Sequence, residues 1–218
     1  MMKKNGKLKY RLSFTGASLM LNESLKIAEA YHQLGNWDAV RQQALKDNVL
    51  QKGKEATIKR EFRELKKRLE KLTGQQLEML IETGPAGQRL LLFLGVCKLY
   101  PFVGDFVLEV LRNKVVTFEH IILESDYSRF FQMKEALHPE LESISDSTRK
   151  KLRSRLFRML GEAGLINNTK EKWITPPIVT RCLAEPLLEE DPALLKFWLV
   201  SDKDIKRLIK HHEENASE

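Results

Sequence analysis

Six cations and no acid fall between Arg149 and Arg158, in the run Arg149-Lys150-Lys151-Leu152-Arg153-Ser154-Arg155-Leu156-Phe157-Arg158. On a helical wheel at about 100° per residue, Leu152, Leu156, Met159, Leu160 and Ala163 share one face and point to a core. Lys150, Ser154, Arg158 and Gly161 lie opposite, flanked by Lys151 and Arg155. Small residues at 154 and 161 let that face come close to another backbone. Within the run no Glu stands four residues from a cation to relieve the mutual repulsion. A helix of this kind calls for an external anion, so its chemistry is phosphate binding.

The flanking sequence supplies the elements that position it. Asp146 or Ser147 can cap the helix, and Gly164 can end it in a left-handed turn. Leu165-Ile166 and Trp173-Ile174-Thr175 are β-prone, with the turn-formers Asn167-Asn168-Thr169-Lys170 between them. Helix, glycine, short strand, polar tip and aromatic strand predict a recognition helix with a β-hairpin wing, which would carry Lys170 and Lys172. A second basic helix is expected over Thr57–Leu72, with Ile58, Phe62, Leu65, Leu69 and Leu72 inward and Arg60, Arg63, Lys67 and Lys71 outward. Both helices open on Thr or Ser, which suggests two helix-turn-helix units in tandem. Lys3, Lys4, Lys7, Lys9 and Arg11 could form an N-terminal arm on the same polyanion.

The chain has 218 residues, 42% of them hydrophobic and 31% charged, with 37 Lys+Arg against 30 Asp+Glu. That composition excludes wholesale disorder and favours polyanionic partners. No apolar run exceeds Leu90–Cys97, far short of the ~20 residues of a membrane-spanning helix. The basic start has no apolar segment of signal-peptide length after it. The expectation is a soluble cytoplasmic protein, without a membrane partner. Its fold should be mainly α: an N-terminal helical domain over 1–75, a winged-helix-like domain over 76–182 and an acidic helical segment over 183–218. Within this frame, Asn22 caps a first helix, Thr73-Gly74 stops the second basic helix, and Gln88–Leu99 forms a buried helix. Val115-Val116 should be extended, and Glu119–Leu123 should form a turn of helix.

Catalytic and metal-binding patterns are missing. Gly84-Pro85-Ala86-Gly87 lacks the Gly-Lys-Ser/Thr of a phosphate loop and reads as a turn before a helix. Cys97 and Cys182 make neither a disulfide scaffold nor a zinc ribbon, and no histidine has metal-motif spacing. Trp37, Trp173 and Trp198 sit where they pack rather than stack on bases. The expectation is a non-enzyme with no cofactor.

Lys9-Tyr10-Arg11-Leu12-Ser13-Phe14-Thr15-Gly16-Ala17-Ser18-Leu19, the helix opening Trp37-Asp38-Ala39-Val40, and Gly164-Leu165-Ile166 together resemble the BrxA family of BREX phage-defence systems. The likeness covers nearly the whole chain. It implies a role in bacterial defence beside larger BREX proteins, and it transfers no catalytic residue. It also implies nucleic-acid binding, either to double-stranded DNA or to RNA in the manner of NusB, an RNA-binding antitermination factor. The residues themselves point to duplex DNA held largely through phosphates by Lys150, Lys151, Ser154, Arg155 and Arg158. Lys170 and Lys172 on the wing would hold the flanking backbone, and Arg60, Arg63 and Lys67 would form a second surface. An adaptor, docking a BREX protein through the acidic tail and the apolar Leu183–Val200 segment, is a further reading.

Overall fold

Polar caps and prolines set where the helices start. The computed structural model describes residues 9–50 and 53–216, so the arm residues Lys3, Lys4 and Lys7 lie outside the described residues. After a 3-10 turn at Ser13–Gly16 come α1 (Leu21–Leu34), α2 (Trp37–Lys46), α3 (Glu55–Leu69), α4 (Gly74–Glu82) and α5 (Pro85–Leu99). Next are α6 (Pro101–Phe106), a π turn (Val107–Leu111) and α7 (Arg112–Val116). Then follow α8 (Glu124–Glu135), α9 (Pro139–Glu142), α10 (Asp146–Glu162), α11 (Arg181–Glu190), a 3-10 turn (Pro192–Trp198) and α12 (Asp202–Ala216).

The fold is mainly helical. α5 is its axis: Leu90 to Cys97 are all buried, so the helix needs packing on every side. α3 crosses it closely, because a Cβ on Gly95 would stand 2.7 Å from the Arg68 carbonyl oxygen. Pro101 then turns the chain by 113° into the α6–α7 stretch. No single helix among the described residues is long and apolar enough to cross a membrane. Buried hydrophobic residues from Tyr10 to Ile205 form one cluster. Trp198 closes it from the C-terminal side, its indole N–H donating to the Leu90 carbonyl at 3.0 Å.

Several local expectations need correction. Thr73 starts a helix rather than ending one: it forms a capping box with Gln76, and α3 has already stopped at Leu69. α1 begins at Leu21 behind a left-handed Met20, so Asn22 is inside it and not its cap. Val115 and Val116 close α7, while the stretch after Phe118 is extended, not helical. Leu183, Leu187, Leu195 and Trp198 are buried, so much of Leu183–Val200 belongs to the core, with Leu194, Phe197 and Val200 partly exposed.

The β-hairpin wing does not form. Among the described residues no strand occurs, only isolated antiparallel bridges at Ile121–Trp173 and Ile166–Ile174. The cause is local. Asn168 Oδ1 accepts the N–H groups of Lys170 and Glu171, both at 2.8 Å, and Asn167 Oδ1 accepts that of Trp173 at 3.0 Å. Lys172 is left-handed at φ 55°, which breaks any ladder beside it. Main-chain pairing across the turn is confined to single bonds, the Asn167 N–H to the Trp173 carbonyl and the Thr175 N–H to the Leu165 carbonyl, both at 2.9 Å, with side-chain-capped turns at the tip.

Candidate nucleic-acid interface

α10 is capped by Ser145, whose Oγ accepts the N–H of Thr148 at 3.3 Å, one or two residues earlier than the sequence suggests. Leu152, Leu156, Met159 and Leu160 are fully buried, as the wheel requires. Gly164 ends the element with φ +79°. The outer side is a ridge. Lys150, Ser154 and Arg158, one turn apart, line clefts on both its flanks.

The first cleft, about 660 Å³, adds Lys151 and Arg155 from α10, Arg60 from α3, and Thr15 and Gly16 from the N-terminal 3-10 turn. Thus the two basic helices expected from the sequence meet at one place, through Arg60. Arg63 is exposed and Lys67 half-buried on α3, and neither lines the cleft. A neighbouring hollow of about 590 Å³ continues from Arg155 and Arg158 to Arg89, with Glu23, Glu61 and Glu162 in its wall. Arg89 was not expected; it lies at the start of the buried α5, where a single cation among apolar residues carries no pattern.

The floor is held by buried contacts. Phe14 packs edge-on against Tyr100 and face-on against Phe102. The buried Arg68 guanidinium donates to the Ser18 carbonyl at 2.5 Å and the Ala17 carbonyl at 3.2 Å, and pairs with Glu64 at 3.0 Å. Glu64 also accepts the Tyr100 hydroxyl. The N–H of Leu19 donates to Glu162 Oε2 at 2.6 Å.

The second cleft, about 560 Å³, lies between α10 and the 167–175 turn and is lined by Arg153, Phe157, Thr169 and Lys172 besides the ridge residues. Lys170 is exposed but does not line it. Lys172 is only 13% exposed, is paired with Glu124 at 2.8 Å, and sits 5.4 Å over the Phe157 ring. It is not the free wing cation expected.

The run from Arg149 to Arg158 is therefore partly neutralised by acids from elsewhere. Arg149 pairs with Glu135 at 2.5 Å, Arg153 with Glu124, and Arg158 with Glu162 at 2.9 Å. The last pair corrects the sequence picture, since Glu162 lies just beyond the run at the i+4 position. Among the described residues, no ion pair within 4.0 Å involves Lys150, Lys151 or Arg155. Burial and then repulsion from Arg158 lower the pKa of Arg155, partly offset by attraction to Glu162. Such a site can hold anions at several points. Among the described residues no group of three or more His, Cys, Asp or Glu is placed to hold a metal ion.

The chain is similar in sequence and fold to known proteins. The chain is 28% identical over 157 residues to "BREX protein BrxA" of Escherichia coli O9:H4 (strain HS), covering 72% of this chain and 74% of that protein. It is 27% identical over 163 residues to the protein of the same name from Paramagnetospirillum magneticum (strain ATCC 700264 / AMB-1), covering 74% and 81%. The crystal structure of an uncharacterized protein from Magnetospirillum magneticum shares the fold, with a TM-score of 0.75 over 88% of this chain and 98% of that one, at 22% identity. The BrxA family model matches residues 8–191, most of the length, and the chain belongs to the BrxA family.

Proposed function

We propose that the chain is a non-catalytic, double-stranded DNA-binding component of a bacterial BREX anti-phage system. The family membership supports the BREX assignment. The observation that carries the DNA reading is the cleft where Arg60, Lys150, Lys151 and Arg155 converge from two helices over Thr15-Gly16. Among the described residues Lys150, Lys151 and Arg155 have no ion-pairing carboxylate, while Arg158 beside them pairs with Glu162. A helix with its side chains is ~10–12 Å across and the major groove of B-DNA about 12 Å wide. A ridge with a cleft on either side suits that groove, with one sugar–phosphate backbone in each cleft. A-form RNA has a deep, narrow major groove that such a ridge does not enter.

In this reading Lys150, Lys151, Arg155, Arg158 and Arg60 contact phosphates, and Ser154 allows close approach at the crest. Arg63, Lys67 and Lys170 contribute at longer range. Binding is largely independent of base sequence, because phosphate contacts position without specifying. Neutralising about six phosphates makes affinity fall roughly 10³-fold between 50 and 200 mM salt. The discriminating experiment is competition of unlabelled duplex DNA against duplex and hairpin RNA for the protein bound to a labelled DNA duplex. DNA should displace the label at least tenfold more effectively; a preference for RNA would replace this reading by an RNA-binding one.

A second, compatible reading is contact with another BREX protein. It is favoured by Ile121, Leu123 and Trp173, which are 43%, 54% and 48% exposed around the Ile121–Trp173 bridge. A pull-down that survives nuclease and high salt tests it.

A further inference from the structure

The two flanks of α10 differ in one respect. On the Arg60 side Lys150, Lys151 and Arg155 carry no ion pair among the described residues, whereas on the other side a carboxylate stands between Arg153 and Lys172. Glu124, the first residue of α8, is held through Oε2 by the Arg153 guanidinium and through Oε1 by Lys172 Nζ at 2.8 Å. Those hydrogen bonds, the one from Lys172 first, keep Glu124 below the usual carboxylate range. Lys172 is fixed independently, by burial and by the face of Phe157. Arg153 stands on a helix whose opposite side is core. The two cations would thus stay in place without the acid, and Glu124 is itself 54% exposed and could turn into water.

A carboxylate offers two oxygens and one negative charge, as does a backbone phosphodiester through its non-bridging oxygens. Thr169 and Ser154 line the same cleft and could supply hydroxyl donors to the larger group. We infer that the Arg153–Lys172 pair in the cleft between α10 and the 167–175 turn is a second phosphodiester site, held in the free protein by Glu124 as an internal substitute that a phosphate of the bound duplex displaces. The inference rests on the duplex reading above and extends it. One backbone enters the Arg60-side cleft, and the second reaches Arg153 and Lys172 only by exchange with Glu124. The charge within the cleft is unchanged by that exchange, since one monoanion replaces another. Glu124 therefore lowers affinity, and it does so for duplexes that reach both clefts rather than for single strands that fill one.

The test is a double-mutant cycle on duplex affinity with Glu124→Gln and Lys172→Gln, each variant first shown by circular dichroism and thermal melting to be folded. Glu124→Gln should bind a duplex on the order of threefold to tenfold more tightly, with single-strand affinity within twofold of wild type. Lys172→Gln should cost more in the Glu124→Gln background than in the wild type, where losing the lysine also loosens its competitor. Arg153→Gln replaces Lys172→Gln if the latter melts early. Additive effects, as from removal of a remote charge, or an unchanged duplex affinity for Glu124→Gln, would overturn the inference while wild-type binding still fell steeply with salt. Absence of salt-dependent duplex binding by the wild type would instead overturn the duplex reading itself.

Discussion

Arg158 Nε lies 2.9 Å from Glu162 Oε1, and the other oxygen of that carboxylate accepts the backbone N–H of Leu19 at 2.6 Å. One acid therefore holds the segment that follows the Ser13–Gly16 turn and also pairs with a cation on the ridge. These roles can be separated. Glu162→Gln retains an acceptor for Leu19 and removes the charge, so stability should stay within about 1 kcal/mol of wild type while duplex affinity rises about twofold to threefold. Glu162→Ala leaves the Leu19 N–H without its acceptor and should cost about 1–2 kcal/mol in urea unfolding.

Arg68 is a structural cation despite its place in a basic helix. It is 3% exposed and joins α3 to the carbonyls of Ala17 and Ser18. Arg68→Met should destabilise by about 3 kcal/mol, because Glu64 loses its cationic partner and both carbonyls lose their donors. Urea unfolding gives the loss directly. Arg60→Met, on the same helix but exposed, should change stability by less than about 0.5 kcal/mol and show its effect only in DNA binding.

The contact between α3 and α5 has no room for a methyl group at Gly95. In Gly95→Ala the new Cβ would meet the Arg68 carbonyl oxygen at 2.7 Å, a backbone atom that cannot swing aside. The helices must move apart, at a cost of about 1–3 kcal/mol. A lowered melting temperature accompanied by weaker DNA binding is expected, since Arg68 and the turn it holds shift with α3.

Stability should fall in acid, with a defined sign. Burial pushes Glu140 up, but hydrogen bonds from the Tyr10 and Glu140 N–H groups and from His138 outweigh it, leaving its pKa low. Hydrogen bonding to Lys172, Lys114 and Arg112 does the same for Glu124, Glu119 and Asp202. Each depressed carboxylate contributes stability that is complete above the ordinary value of ~4.3 for Glu or ~3.9 for Asp, and lost as pH falls through the lower folded value. The urea midpoint should hold steady between about pH 7 and 5 and then drop, with a shallower drop in Glu140→Gln. At the alkaline end, burial and then the bond to Glu64 push Tyr100 up to about 12. That contribution is complete below the ordinary tyrosine value of ~10 and should be lost above it.

What could be read in the sequence were the faces of helices. Leu152, Leu156, Met159 and Leu160 recur at helical spacing and are all buried, and Gly164 ends α10 in the left-handed conformation expected. Local signals with two meanings misled. Thr73-Gly74 suits a helix end as well as a helix start, and only the Gln76 side chain settles which. Asn167 and Asn168 cap a turn with their side chains, but main-chain pairing behind it amounts to single bonds around the Ile166–Ile174 bridge, short of a strand. Contacts distant along the chain left no periodic trace. Glu124 and Glu135 reach α10 from α8, and Arg60 meets Arg155 from α3, so which cations are free is decided by packing.

The central claim is that Lys150 and Arg155, unpaired on the ridge, hold duplex phosphates. Equilibrium titration of wild type and Lys150→Glu/Arg155→Glu with a DNA duplex at 50 and 200 mM salt tests it most directly. Wild-type affinity should fall about 10³-fold between the two salts, and the folded variant should bind at least about 100-fold more weakly at 50 mM with a shallower salt dependence. A folded variant that binds the duplex as tightly as wild type at both salts would contradict the account.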